Sequence, residues 1–184
     1  PMNSYLDQKI GVLGGGQLGK MLAQAASPMG IQLHILDVDK NFPAGQVAPH
    51  FTEGNFKDYD DVMAFGADKD IITIEIEAVN TDALVNLEKM GKKVYPQPSI
   101  VSLIKDKGTQ KLFYRNHQLP TSPFNLYDQW EDIISDVENG TITYPFVQKS
   151  RSGGYDGRGV QVVKGPDDLN KLLQVPSLVE DLVD

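Results

Sequence analysis

The chain has 184 residues, of which 40% are hydrophobic and 23% charged, with a formal net charge of −8 and no cysteine. That is enough for one or two small domains with their own cores, and it excludes disulfide scaffolding, thiolate catalysis and cysteine-ligated zinc or iron–sulfur sites. The acidic balance argues against a broad nucleic-acid face but leaves room for local basic loops that hold small phosphorylated ligands.

No apolar run approaches the roughly 20 residues of a membrane-spanning helix, and the N-terminus lacks a signal-peptide pattern, so a cytoplasmic protein acting on metabolites is expected, with no membrane or nucleic-acid partner. The histidines His34, His50 and His117 are scattered and lack metal-ligand spacing.

From Lys9 onward strand-like and helix-like segments alternate, the pattern of an α/β fold with a parallel sheet. Lys9 to Leu13 reads as a short apolar strand running into Gly14-Gly15-Gly16-Gln17-Leu18-Gly19. Leu18, Met21, Leu22 and Ala25 then recur at i, i+3, i+4 and i+7, which predicts a helix with that face buried. Ile31 to Leu36 is a second strand, ended by Asp37. Asp60 to Phe65 is a short helix whose carboxylates suit its N-terminus. Asp70 to Glu77 alternates as a strand, with Ile72, Ile74 and Ile76 on one face and Glu75 and Glu77 on the other.

Thr81 to Met90 predicts a helix with Ala83, Leu84, Leu87 and Met90 inward and Gly91 just past its end. Val94-Tyr95 is a further strand, and the stiff Pro96-Gln97-Pro98 marks the internal boundary. Ser99 to Ile104 and Lys107 to Asn116 read as helices, Phe146 to Lys149 and Val160 to Val163 as strands. Asp167 caps a helix through Leu173, and Ser177 to Leu182 is a strand or hinge.

Two glycine loops carry the chemistry. Gly14-x-Gly16-x-x-Gly19 lies between strand and helix, with Asp37 ending the next strand, so it meets the dinucleotide fingerprint. Its ligand is an anion, either a pyrophosphate or a sugar phosphate. The second loop reads Lys149-Ser-Arg-Ser-Gly-Gly-Tyr-Asp-Gly-Arg-Gly159. Its glycines let main-chain amides approach phosphate oxygens, Lys149 adds a mobile charge and Arg158 a planar fork. It is not a P-loop, because no Gly-x-x-x-x-Gly-Lys-Ser/Thr string occurs.

These blocks, together with Thr73-Ile-Glu-Ile-Glu77, Asp106-Lys107 and Leu119-Pro-Thr121, come in one order over nearly the whole chain. In that order they resemble the ATP-grasp superfamily and, within it, the 5-(carboxyamino)imidazole ribonucleotide synthases. The resemblance implies a Rossmann-like parallel-sheet domain over 1–98 and the first part of an ATP-grasp domain over 99–184, with linker helices at 99–122 and a small nucleotide-binding subdomain at 123–184. It implies ATP-dependent carboxylation of aminoimidazole ribonucleotide with bicarbonate, giving ADP and phosphate.

By the same resemblance Lys107, Lys149, Gly154, Tyr155, Asp156, Gly157, Arg158 and Gly159 bind ATP phosphates, and Glu180, Asp181, Leu182 and Val183 form the hinge that meets adenine. Tyr155, Asp156 and Arg158 are the catalytic candidates, with Asp156 as proton acceptor. They face a ribonucleotide also lined by Gly15, Gly16, Gln17, Leu18, Glu75 and Glu77. The cofactors implied are ATP and Mg²⁺ rather than NAD, the metal's ligands lie beyond Asp184, and a homodimer is expected of the whole enzyme. The chain up to Asp184 is expected not to turn over alone. Another ATP-grasp ligase, of the glycinamide ribonucleotide transformylase or biotin carboxylase kind, and a plain dinucleotide-binding module are the alternatives.

Overall fold

The computed structural model describes residues 5–154 and 158–183. The chain divides into two compact units, Pro1–Ser102 and Leu103–Asp184.

The first unit is a parallel sheet of β1 (Ile10–Leu13), β2 (Leu33–Asp37), β3 (His50–Glu53), β4 (Ile71–Ile74) and β5 (Lys93–Val94) in the order β3-β2-β1-β4-β5. Helices α1 (Gln17–Ala26), α2 (Tyr59–Gly66) and α3 (Thr81–Lys89) cover it. Both faces of β1 are buried, as parallel sheets require. Leu13 joins Leu36, Val62, Ile72, Leu84 and Leu87 in one core, and Val12 joins Ala23, Leu33, Ile35 and Ala44 in another. Each fully buried Leu or Ile contributes about 1.5–3 kcal/mol. The order reverses between β1 and β4, so the loops after those two strands share the crevice where α/β sheets take ligands.

Local chemistry sets the helix ends. Asp58 accepts from Asp61 N–H at 3.0 Å and Asn80 from Ala83 N–H at 2.9 Å, capping α2 and α3. At the far end of α3, Gly91 at φ +87° donates to Glu88 O and Lys92 N–H to Leu87 O, the paired bonds of a left-handed terminus.

Several expectations need correction. The buried face of α1 is Gly19, Ala23 and Ala26, whereas Leu18, Met21 and Leu22 are 63%, 54% and 42% exposed and Ala25 is exposed too. A Cβ on Gly19 would lie 3.0 Å from Gly14 O, so the helix sits too close to the turn for large side chains on that face. Met90 caps α3 from outside and is exposed, not inward. The β4 strand stops at Ile74, so Glu75 and Glu77 lie in the bend after it rather than on a strand face. The edge strand β3 had no sequence signal.

Helix α4 (Pro98–Lys105) completes the first core with Val101, and the second unit, which starts at Leu103 in the last turn of α4, leads into α5 (Lys107–Asn116). It continues with β6 (Phe124–Tyr127), α6 (Glu131–Glu138), β7 (Phe146–Ser150), β8 (Val160–Val163), a 3-10 helix at Pro166–Lys171 where a short helix capped by Asp167 and running through Leu173 was expected, and β9 (Ser177–Asp181). The strands form an antiparallel sheet ordered β6-β9-β7-β8, and Tyr127, Ile133, Phe146, Val163 and Val179 fill one side of it. Fully buried Gln148 is satisfied there: its amide donates to Leu173 O and Ser177 Oγ, and its carbonyl accepts from Leu173 N–H at 2.7 Å.

On β2 and β3, His34 and His50 stack with centroids 4.3 Å apart. Desolvation, then the charges of Lys69 and His50, hold His34 below its ordinary 6.5. A depressed value favours the neutral ring in the fold, so its stabilisation is present above the unfolded value and is lost as pH falls through the folded one. We expect the thermal midpoint to drop between pH 7 and 5 and His34→Gln to flatten that slope. A dichroism melt series in which the variant keeps the full slope would remove His34 as its source.

Candidate functional site

In the first unit, β1 ends in a turn that the neighbouring strands hold from both sides. Gly14, at φ +109°, donates to Leu36 O at 2.9 Å, and Gly15 N–H donates to Asp37 Oδ2 at 2.7 Å. Asp37 is buried, and its Oδ1 accepts from Val38 N–H at 2.7 Å. Both carboxylate oxygens of the fingerprint acid are therefore engaged by the protein's own main chain. Glu75, tied to Leu13 O through its N–H, lays its carboxylate across the turn. A Cβ on Gly14 would fall 2.5 Å from Glu75 Oε2 and one on Gly16 2.9 Å from Oε1, so a side chain at either position would push the Glu75 carboxylate aside, and the φ of Gly14 favours glycine in any case.

Gly16 then opens α1 without a side-chain cap, and Gln17 and Leu18 are exposed. The first amides of a helix have no intrahelical acceptor and favour an anion. The fold thus brings Gly15, Gly16, Gln17, Leu18 and Glu75 together at the C-terminal ends of β1 and β4; Glu77 is half-buried two residues beyond Glu75.

In the second unit the β7–β8 hairpin frames the other glycine loop. Ser150 N–H donates to Gly159 O at 2.8 Å, and a Cβ on Gly159, at φ +74°, would strike Ser150 Oγ. Lys107 Nζ donates to Gly154 O at 3.2 Å. Arg158 is exposed at the loop's return. The expected site residues Tyr155, Asp156 and Gly157 lie outside the described residues.

Lys149, on β7, pairs with Oε1 of Glu180 on β9, while Lys111, on α5, stands 2.6 Å from Oε2 as an ion pair. Glu180 is only 6% exposed. Its burial pushes the carboxyl up, but the two ammonium groups outweigh that and leave it below the usual range. Asp181 is registered with β7 alone, and Leu182 and Val183 follow the strand, exposed, so the hinge segment leaves the sheet here. A cavity of about 210 Å³ lined by Phe124, Asn125, Ile142, Phe146, Glu180 and Asp181 opens beside it.

Two groups were missed from sequence. Lys111 stands one helical turn after Lys107, a spacing that puts both on one face. Arg151 forms a fork on Asp106, Nε to Oδ1 at 3.1 Å and Nη2 to Oδ2 at 3.0 Å, and reaches Asp128 at 3.4 Å. Asp106 also caps α5 through Thr109 N–H, and Lys107 N–H donates to Arg151 O at 2.7 Å. The helix start and the loop root are thereby one assembly. Among the described residues no group of three or more His, Asp or Glu could hold a metal ion.

Comparison with known proteins matches residues 7–105 to the ribonucleotide synthetase preATP-grasp domain and residues 112–184 to the ATP-grasp domain. A phosphoribosylaminoimidazole carboxylase of Candida glabrata is 39% identical over 170 residues, covering 90% of this chain and 29% of that one. An N5-carboxyaminoimidazole ribonucleotide synthase of Staphylococcus saprophyticus is 34% identical over 176 residues, covering 94% and 46%. Among solved structures, the Staphylococcus aureus N5-carboxyaminoimidazole synthetase complexed with ADP superposes at TM-score 0.86 with 30% identity, covering 97% of this chain and 48% of that one. The Aspergillus clavatus N5-carboxyaminoimidazole synthase in complex with ADP and 5-aminoimidazole ribonucleotide does so at 0.85 with 30% identity, covering 97% and 47%. The chain spans less than half the length of each of these relatives.

Two substitutions test the geometry. A Cβ on Gly108 would sit 2.6 Å from Arg151 Nε, and a guanidinium can swing away, so Gly108→Ala should break the Asp106 fork and leave the fold standing. Hydrogen exchange at Lys107 N–H should quicken while the melting temperature stays within a few degrees; protection as in the parent would refute the coupling. Asp37→Asn turns one buried acceptor into a donor facing a main-chain N–H, so denaturant titration should show a loss of about 1–3 kcal/mol.

Proposed function

The chain belongs to the ribonucleotide synthetase preATP-grasp family and continues into an ATP-grasp domain, and on that premise we propose that it forms the N-terminal part of an ATP-dependent carboxylase acting on 5-aminoimidazole ribonucleotide. The observation that carries this reading is the cation set of the second unit: Lys149 beside the glycine hairpin, Lys107 on Gly154 O, and a strand end leaving the sheet next to a cavity. Glycine amides and two mobile ammonium groups suit the phosphates of a nucleotide, and the main chain of Asp181 to Val183 suits the edge of its base.

In this reading bicarbonate oxygen attacks the γ-phosphorus of ATP, the β–γ bridge breaks and ADP leaves, giving carboxyphosphate. The ribonucleotide's exocyclic amine attacks the carboxyl carbon, the C–O bond to phosphate breaks, and the amine proton passes to a base, giving the carbamate. Lys107 and Lys149 hold phosphate oxygens as negative charge builds on them. Asp156 is the proposed proton acceptor, with Tyr155 and Arg158 against the ribonucleotide. In the first unit the proposed ribonucleotide contacts are the turn at Gly15 to Leu18, with Glu75 and Glu77, where open helix amides suit an anion. Magnesium would supply positive charge against the phosphates of the nucleotide, but the described residues offer no set that fits it. A cytoplasmic homodimer of the whole enzyme belongs to the same reading.

The test is ADP release by the full-length gene product with aminoimidazole ribonucleotide and bicarbonate each supplied or withheld. Release that needs both is the expected result. Release indifferent to the ribonucleotide would move the assignment to another acceptor within the same superfamily. Lys149→Ala should raise the KM for ATP about ten- to a hundredfold, the scale of one lost charged contact.

A further inference from the structure

Glu180 carries two cations of different standing. The Lys149 side chain is 30% exposed and borders the glycine hairpin, whereas that of Lys111 is 14% exposed and held from three sides. Its ammonium lies 2.6 Å from Glu180 Oε2, donates to Thr121 Oγ1 at 2.6 Å, and faces the Phe124 ring at 5.7 Å. Phe124 is registered opposite Glu180 across β6 and β9, so the same sheet that buries the carboxylate also cages Lys111.

A lysine that serves phosphates must let go of its carboxylate. If Lys149 were the sole counter-ion, its departure would leave an uncompensated buried charge, and that penalty would be charged against nucleotide binding. With Lys111 staying behind, the departure removes one of two partners and the carboxylate remains neutralised.

We propose that Lys111 is a positioning residue: the standing counter-ion of Glu180 that frees Lys149 to pass between Glu180 and the phosphates of a bound nucleotide. The inference rests on the ATP-binding reading above. Lys111 touches no ligand in this scheme, so its removal weakens nucleotide binding through Lys149 and acts on KM more than on kcat.

The experiment is a double-mutant cycle in the full-length gene product, reading Kd for ADP by calorimetry and KM and kcat for ATP by ADP release. Lys111→Met keeps the length of the side chain and removes its charge. It should raise the Kd for ADP and the KM for ATP about tenfold, equivalent to about 1.4 kcal/mol of binding, with kcat changing less, and Lys111→Arg should restore most of the loss. In a Lys149→Met/Glu180→Gln background, where no buried carboxylate is left unpaired, the same change should cost nothing, because there is no lysine left to release. Equal losses with and without Lys149 would overturn the proposal.

A second variant covers a failure of K111M to fold. Adding Glu180→Gln removes the charge that needs a counter-ion, so E180Q/K111M should fold and bind ADP as E180Q does; tenfold weaker binding than E180Q would also overturn it. A parent enzyme that does not bind ADP at all would remove the nucleotide reading itself and this inference with it.

Discussion

A carboxylate buried in the middle of a sheet has to be met by positive charge, and Glu180 imposes that requirement on every element around it. It is buried because β9 has β6 on one side and β7 on the other, with Phe124 and Val147 in register beside it. The desolvation of one such ion costs several kcal/mol, so the strand can stay central only if cations come to it. Lys149 arrives from the neighbouring strand and Lys111 from α5. Fixing Lys111 also fixes the rotation of α5 about its axis, since residues four apart share a face. Lys107, one turn earlier, then falls over the root of the glycine loop and meets Gly154 O.

The first unit solves a related problem without cations. Asp37 is as buried as Glu180, yet its two oxygens are met by the N–H groups of Gly15 and Val38. That solution requires the main chain to come within hydrogen-bonding reach of a strand end, which accounts for the glycines at 14 to 16 and for small residues along the inward face of α1. The cost appears on the other side of the helix, where Leu18, Met21 and Leu22 are left toward solvent.

These same residues show what was legible in the chain. The strand–turn–helix at Ile10 to Ala26 and the hairpin at Phe146 to Val163 could be read because an apolar run ending in glycines is a local signal. The face of α1 was misread because periodicity weighs large apolar side chains above Gly and Ala, while the packing depends on the approach distance to Gly14 O. The strands at His50–Glu53 and Phe124–Tyr127 are four residues each and mix polar with apolar positions, so nothing in their pattern separates them from loop. The α6 helix was invisible for a similar reason: Ile133 is its one fully buried side chain. Glu180 was placed in the hinge from order along the chain, but its pairing with Lys149 joins positions 31 residues apart, and no local pattern carries that.

The loop motif itself understates how its geometry is made. Read as a string, the loop owes its function to its own glycines, Lys149 and Arg158. In the fold its root is held from a distance: Arg151 forks onto Asp106, 45 residues earlier, and the Arg151 carbonyl receives Lys107 N–H. Asp106 can serve both the fork and the helix cap because its Oδ1 accepts from Thr109 N–H as well as from Arg151 Nε, and Gly108 leaves room for the guanidinium. A glycine-rich segment alone would lose much conformational entropy on ordering. Anchoring its first residues to a capped helix meets part of that cost within the fold itself, so residues outside the motif help to set the loop's root.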